Sequence, residues 1–423
     1  MGLDPEEYKN RRRARAQKRE KDRKRNRALA IRLGIAAAVL VVCGVIIAIV
    51  VSSGKDKPAA PDTTPAASQT QESGTTEDSG KETVIHIAAA GDLNVNDTLI
   101  AAGGGGLDFT NAFADVAYLL ADADVTALNF EGVLCGEPFG ESRSAPLSLM
   151  HSLSAAGVDM IQLANSYSIH RGVSGLSETI DSIRVVGMEP LGVSTDRSAY
   201  QNTKGYTICD VNGVRIAFVA FTKGMDGMAL PAGSENAVNL LYTDYASTYQ
   251  HVNTEGITRL LNAVQEEHPD LTVAMLHWGS EYNDTVSASQ EEIRDLMWSC
   301  GVNVIIGSHP HFVQKMELDR ENNRFIAYSL GDFASDAKRS GTEYSVILDL
   351  TVTKNNRTGK AAVTGYSYTP IFSVVEKDRP LRVMRIREAM KGHELSHVEQ
   401  VSQKTYEQMQ YALERIDSRV KGE

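Results

Sequence analysis

Cysteine is scarce, with four in 423 residues, and one of them, Cys43, falls inside an apolar run. The other three, Cys135, Cys209 and Cys300, permit at most one internal disulfide and match no thiolate metal spacing. A disulfide-stapled scaffold is therefore excluded, and the cysteines read as small buried hydrophobes. The chain has no internal repeat. Positive charge is also scarce once residues 1–32 are set aside. That arm carries 13 basic and 5 acidic side chains, so its +8 leaves −19 for the rest of a chain whose net charge is −11. So acidic a remainder excludes nucleic acid as a bulk electrostatic partner. An anionic substrate would need local help from a metal.

The basic arm, 1–32, runs directly into Leu33–Val51, nineteen residues without a charge. As a helix this run spans ~28 Å, enough for a bilayer core. A cleaved signal has a shorter apolar region and a small-residue cleavage site. The pattern predicts an uncleaved single-pass anchor at 33–52 with the arm on the cytoplasmic side. The cell membrane is then the location, with the main domain extracellular. Residues 53–82 are rich in Ser, Thr and Pro and bury too little to fold. They read as a disordered stalk with a typical span of ~30 Å. A folded domain is expected over 83–375, followed by a polar helical tail over 376–423 that receives no function.

Within the domain, strands and helices alternate. Strands are expected at VIHIAAAG from Val84, Asp124–Phe130, Val158–Leu163, Leu271–His277 and Val302–Ile306. Helices are expected at Phe113–Ala121, Leu147–Ala156, Leu176–Val186, Thr258–Glu267 and Glu291–Ser299. YTICD and VRIAFVAF flank Asn212-Gly213, a hairpin signal. The later segments FIAYSL, YSVILDLTV and AAVTGYSYTPIF are strand-rich. This order predicts an α/β core with an antiparallel portion late in the chain.

Open α/β sheets bind ligands at the carboxyl ends of their strands. Five expected strand ends carry suitable side chains: Asp92, Asn129 with Glu131, Asn165, His277 with Glu281 nearby, and the pair His309 and His311. Residues two apart on an extended backbone share a face, and Pro310 pushes His309 towards extension. Imidazoles and carboxylates together suit manganese, zinc or iron, one ion or two, and not an all-oxygen calcium cage.

The motifs AAAGD (88–92), NFEG (129–132), LANSYSIHRGVSGL (163–176), LHWGSEY (276–282), GSHPH (307–311) and YSLGDF (328–333) carry a resemblance in order and spacing. The chain resembles the CapA family of poly-γ-glutamate capsule synthesis, within the calcineurin-like metallophosphatase superfamily. The resemblance covers about Val84 to Phe372. It implies a four-layer α/β/β/α metallophosphatase-like sandwich with a two-metal site at one edge. Asp92 and His311 would bind one metal, His277 and His309 the other, and Glu131 would bridge. It further implies phosphoesterase-like hydrolysis, an anionic envelope polymer or phosphoester as substrate, and a capsule-synthesis membrane complex as partner.

The chain departs from the family pattern in one place. Where the family reads Ala-Asn-Asn-His and then Asp and Gly, this sequence has Ala164-Asn165-Ser166-Tyr167, His170 and Gly172. A phenol with a pKa near ~10 is a poor acid–base substitute for imidazole. His170 and Glu281 stay as candidate catalytic residues, with Asn165 as a metal ligand. Asp332 in YSLGDF replaces a common Asn and offers another carboxylate. Two functions follow: a membrane-anchored metallohydrolase, or a non-catalytic, polymer-binding envelope protein of the same fold.

Overall fold

Glycine and alternating apolar residues decide how closely the strands of this domain approach one another. The computed structural model describes residues 82–195, 204–394 and 401–422. The expected arm, membrane segment and nearly all of the stalk lie outside the described residues. Among the described residues no helix is long and apolar enough to cross a membrane.

The strands are β1 (Glu82–Asn94), β2 (Val125–Glu131), β3 (Met160–Gln162), β4 (Glu189–Leu191), β5 (Tyr206–Val211), β6 (Val214–Thr222) and β7 (Leu271–His277). They continue as β8 (Val304–Ser308), β9 (Met316–Asp319), β10 (Arg324–Ala327), β11 (Asp332–Ala334), β12 (Tyr344–Asn355), β13 (Ala361–Val374) and β14 (Arg382–Arg385). One sheet has the order β14-β13-β12-β1-β2-β3-β4, with β11 added to β1; the other has the order β5-β6-β7-β8-β10-β9. β1 to β4 are parallel, whereas β12 to β14 are antiparallel. β6, β7, β8 and β10 are also parallel, flanked by the hairpin partner β5 and by β9.

Side chains alternate across a strand, and here the alternation separates two cores. In β6, Val214, Ile216, Phe218 and Ala220 enter one apolar cluster, and Ala217, Val219 and Phe221 enter another. β7 and β8 divide the same way, Val273 and Val304 against Ala274 and Ile305. The second cluster lies under the helices Thr254–Glu266 and Ala288–Ser299, through Leu261 and Ile293. The first holds the facing residues of both sheets together with the helices Leu147–Ala156 and Gly172–Val185. β2 is buried along its whole length, as a parallel strand covered on both faces must be. The result is a mixed α/β sandwich, helices outside two packed sheets.

Two expectations need correction. The helix over Phe113–Ala121 is split into Thr110–Phe113 and Ala117–Asp122. The Asp115 carbonyl at the break accepts from Arg385 Nε at 3.0 Å, while Arg382 pairs with its carboxylate at 2.7 Å. A tertiary partner has taken a carbonyl that a continuous helix would use. Residue 375 is also no structural boundary. β14 pairs with β13, and the C-terminal helix Gln403–Lys421 buries Met409, Ala412, Ile416 and Val420 in the first core.

Candidate metal centre

Two close backbone approaches bring the strand ends together. A side chain on Gly91 would stand 1.8 Å from the Gly331 carbonyl oxygen, and one on Gly307 would stand 1.8 Å from that of Tyr328. Only glycine permits β1 to meet the 330–332 segment and the end of β8 to meet Tyr328. In consequence Asp92 N–H donates to Gly331 O at 2.9 Å. Asp92 stands level with Asn129 on one side and Asp332 on the other, and Asn94 with Glu131. Across the second sheet, His277 is level with Ser308.

Asn129 is the hub of the side-chain network. Its amide lies 2.7 Å from Asp92 Oδ1, 3.3 Å from Glu131 Oε1 and 3.4 Å from His277 Nδ1. Its own carbonyl accepts from Asn165 at 3.0 Å. Asp92 Oδ2 accepts from the His309 backbone N–H at 3.0 Å. His311 Nδ1 lies 2.7 Å from Asp332 Oδ1 and 3.4 Å from Asp92 Oδ2. Among the described residues, the groups able to hold a metal are Asp92–Glu131–His277, Asp92–His311–Asp332 and Glu281–His309–His311.

The expected extended backbone at H-P-H is not found. His309 has φ 92° and His311 φ 58°, both in the left-handed region. Tyr282 (φ 58°) and Arg143 (φ 62°) share it. Backbone strain of this kind persists only where the surroundings over-determine it. Here the Tyr282 N–H donates to Pro310 O at 2.8 Å, and the Tyr282 ring stacks on His311 at 5.3 Å. The imidazoles still converge, with His277 and His309 ring centres 4.5 Å apart, but strand alternation is not the cause.

Burial dominates the electrostatics. Asp92, Glu131 and Asp332 are 0%, 2% and 5% exposed. Desolvation pushes the Asp92 carboxyl up to about 6, against the pull of His311. Glu131 is raised well above its ordinary range by burial and then by the charge of Asp92. Asp332 is raised by burial too. Burial alone would lower His311, but Asp332, Glu131 and Asp92 outweigh it and hold the ring well above its usual value. His277 and His309 are driven well below theirs, first by burial and then by neighbouring positive charge. The like charge of three buried carboxyls is thus relieved by proton uptake, with Glu131 and His311 both held towards their protonated forms. A bound divalent cation would reverse that balance.

Ser166 N–H points at His277 Nε2 from 3.2 Å, with its hydroxyl at 3.0 Å. Nε2 then acts as an acceptor, and the ring hydrogen sits on Nδ1, facing Ser308 Oγ at 3.2 Å and Glu131 at 3.6 Å. Asn165 donates to Asn129 and to Phe130 O and accepts from Tyr167 N–H, so its amide ties the loop to β2. His170 is exposed and lies edge-on to Tyr167 at 5.8 Å; no candidate metal group contains it. Glu281 is exposed at the rim and joins His309 and His311. Burial and then Glu131 push the Tyr167 phenol up to about 12.

Sequence reasoning underrated Asn129, Ser308 and Lys223. Asn129 is legible as part of NFEG, but its hub role depends on partners 36 and 148 residues away. Lys223 follows β6 with no motif around it; its ammonium donates to Gly279 O at 2.7 Å beside the histidines.

A sandwich with carboxylates and imidazoles gathered at the ends of parallel strands defines an α/β protein with a candidate metal centre. The chain belongs to the family described as bacterial capsule synthesis protein PGA_cap, whose model matches residues 86–337. It is 24% identical over 286 residues to the capsule biosynthesis protein CapA of Bacillus anthracis, covering 64% of this chain and 66% of that one. It is 28% identical over 235 residues to the PGA biosynthesis protein CapA of Bacillus subtilis (strain 168), covering 55% and 57%. The chain thus spans less than two thirds of either relative. Among solved structures it is similar to the calcineurin-like phosphoesterase YfkN from Bacillus subtilis, with 16% identity, 78% and 99% coverage and a TM-score of 0.41. A phosphatase from Mycoplasma pneumoniae gives 14%, 69% and 94%, and 0.41.

Proposed function

We propose that this chain is a membrane-anchored, extracellular accessory protein of capsule or poly-γ-glutamate synthesis or export, and that its folded domain holds a divalent cation. Family membership and the names of the two CapA relatives support the role. The basic arm and the apolar run 33–51 support the anchor. One observation carries the cation: buried Asp92 is shared by two groups, with Glu131 and His277 and with His311 and Asp332, whose ligand atoms lie within 4.8 Å of one another. The donors fit manganese, zinc or iron, since they are carboxylates and imidazoles without a thiolate. Asp92, Glu131 and His311 would hold it, with Asp332 positioning His311 and with His309 and Glu281 beside them. When bound, such an ion polarises an ester and lowers the pKa of a bound water. Asn129 orients the carboxylates, and Asn165 fixes Asn129.

A second reading favours binding without turnover, and Tyr167 carries it. A phenol held near about 12 is a poor general acid at neutral pH. His170 does not reach into the centre to replace it. The test uses the purified full chain. Bound metal is measured, and a generic phosphodiester is assayed with and without manganese, beside His309→Ala/His311→Ala. Metal with turnover that the variant loses supports a hydrolase. Metal without turnover supports the binding role, and a chain that takes up no metal sinks the proposal.

A further inference from the structure

Three cations ring the buried centre, and each lies on a tyrosine. The Arg143 guanidinium sits 4.4 Å from the Tyr167 ring centre, the Lys223 ammonium 4.7 Å from that of Tyr249, and the Arg339 guanidinium 3.8 Å from that of Tyr282. All three belong to the site's surroundings. Arg143 acts on Glu131, Lys223 on His277 and His309, and Arg339 on Tyr282, which stacks on His311.

Many cations elsewhere in this acidic domain are held by carboxylates. Arg215 pairs with Glu267 at 3.1 Å, Arg382 with Asp115 at 2.7 Å, Lys354 with Asp270 at 2.6 Å and Arg419 with Asp284 at 3.0 Å. Among the described residues Arg143, Lys223 and Arg339 make no carboxylate ion pair. Arg143 spends one N–H on Val95 O at 3.0 Å and Lys223 one on Gly279 O at 2.7 Å. A guanidinium held over a tyrosine ring still has N–H groups to offer a carboxylate or phosphate. Stacking also removes rotamer freedom before any ligand arrives, so less is lost on binding. Arg143 is fixed further by its left-handed backbone.

We propose that Arg143, Lys223 and Arg339 form a seat for a chain bearing repeated carboxylate or phosphate groups, laid across the mouth of the buried centre. The inference rests on the proposed accessory role for its setting, and it assigns the recognition to residues outside the metal-ligand set.

The manganese-loaded full chain is titrated, by fluorescence anisotropy, into a labelled γ-linked glutamate oligomer, a polyphosphate of equal charge and an uncharged γ-linked glutamine oligomer. The expected result is salt-sensitive binding of an anionic chain and none of the uncharged one. Whichever anion binds more tightly identifies the carboxylate or phosphate source. Arg143→Ala and Arg339→Ala should each weaken binding roughly tenfold, as loss of a charge-assisted bond does. Arg→Lys at either position should recover part of that loss, with metal content and melting temperature unchanged. Unaltered affinity in both alanine variants overturns the proposal. So does equal binding of the uncharged chain, or no binding by a metal-loaded protein. Absence of bound metal is read separately, in the metal assay, and tells against the cation and not the seat.

Discussion

His311 Nδ1 lies 2.7 Å from Asp332 Oδ1, and Asp332 stands level with Asp92 where β11 meets β1. The carboxylate in YSLGDF thus orients the second histidine of GSHPH. Removing such an orienting partner costs roughly 10–100-fold in metal affinity in comparable sites. Asp332→Asn should therefore weaken manganese binding by roughly that factor while the domain stays folded, as read by competition with a chelator. Unchanged affinity would remove Asp332 from the centre.

The burial of Asp92 makes a pH-dependent signature. Its carboxyl is raised from 3.8 to about 6 in the folded protein. A group whose folded value is raised contributes stability that is full below the unfolded value and lost as pH rises through the folded one. The loss is on the order of 3 kcal/mol, because a tenfold change in proton affinity is worth about 1.4 kcal/mol. His277 and His309 are displaced the other way, while Glu131 and His311 feel the Asp92 charge, so comparison with a variant reads Asp92 together with these two neighbours. Without metal, the wild type should lose stability relative to Asp92→Asn as pH rises from about 4 to about 6. Melting temperatures across that window provide the check, and a constant difference would contradict it.

Ser166 and Tyr167 mark where turnover fails under the binding reading. The double change Ser166→Asn/Tyr167→His supplies an imidazole near its working pH in place of a phenol held near about 12. General acid catalysis is worth roughly 10²–10⁴-fold. Phosphodiester turnover by the double variant should exceed that of the wild type by about 10²-fold, measured with manganese present. Equal rates would show that these two positions are not the limiting departure.

The C-terminal helix braces the histidine loop through Arg419. Its guanidinium lies 4.6 Å from the Phe312 ring centre and 3.0 Å from Asp284, two residues beyond Tyr282. Arg419 is 8% exposed, while Asp284 is 37% exposed, so the pair is partly screened. Arg419→Ala should destabilise the domain by roughly 2 kcal/mol, less than a fully buried pair would. Urea unfolding monitored at the tryptophans measures it; no change would detach the helix from the loop.

Gly91→Ala places a carbon 1.8 Å from the Gly331 carbonyl oxygen, so β1 and the 330–332 segment must separate. Overpacking backbone in this way costs about 3 kcal/mol or more. We expect a poorly folded variant that binds no metal, seen by circular dichroism and metal content. Gly105→Ala, with nothing within 4 Å, serves as the silent control.

Local pattern made much of this protein readable before any coordinates. Apolar runs ending in Asp92, Glu131, His277 and the H-P-H pair name the strands and the edge where ligands gather. That holds because alternation and strand-end polarity are short-range properties. The helix break at Asp115 was not readable, since it depends on Arg382 and Arg385, some 270 residues further on. The left-handed backbone of His309 runs against the local preference before proline, and contacts with Tyr282 and Asp92 hold the His309–His311 segment.

By itself the sequence determined the α/β order, the carboxylate and imidazole donors and the acidity of the domain, because each is written in residue type and spacing. The tertiary structure alone decided which lone pairs those donors keep. Ser166 meets His277 across 111 residues, and His309 meets Asp92 across 217. Hydrogen bonds reach only about 3 Å, so such partnerships exist only once the two sheets have packed.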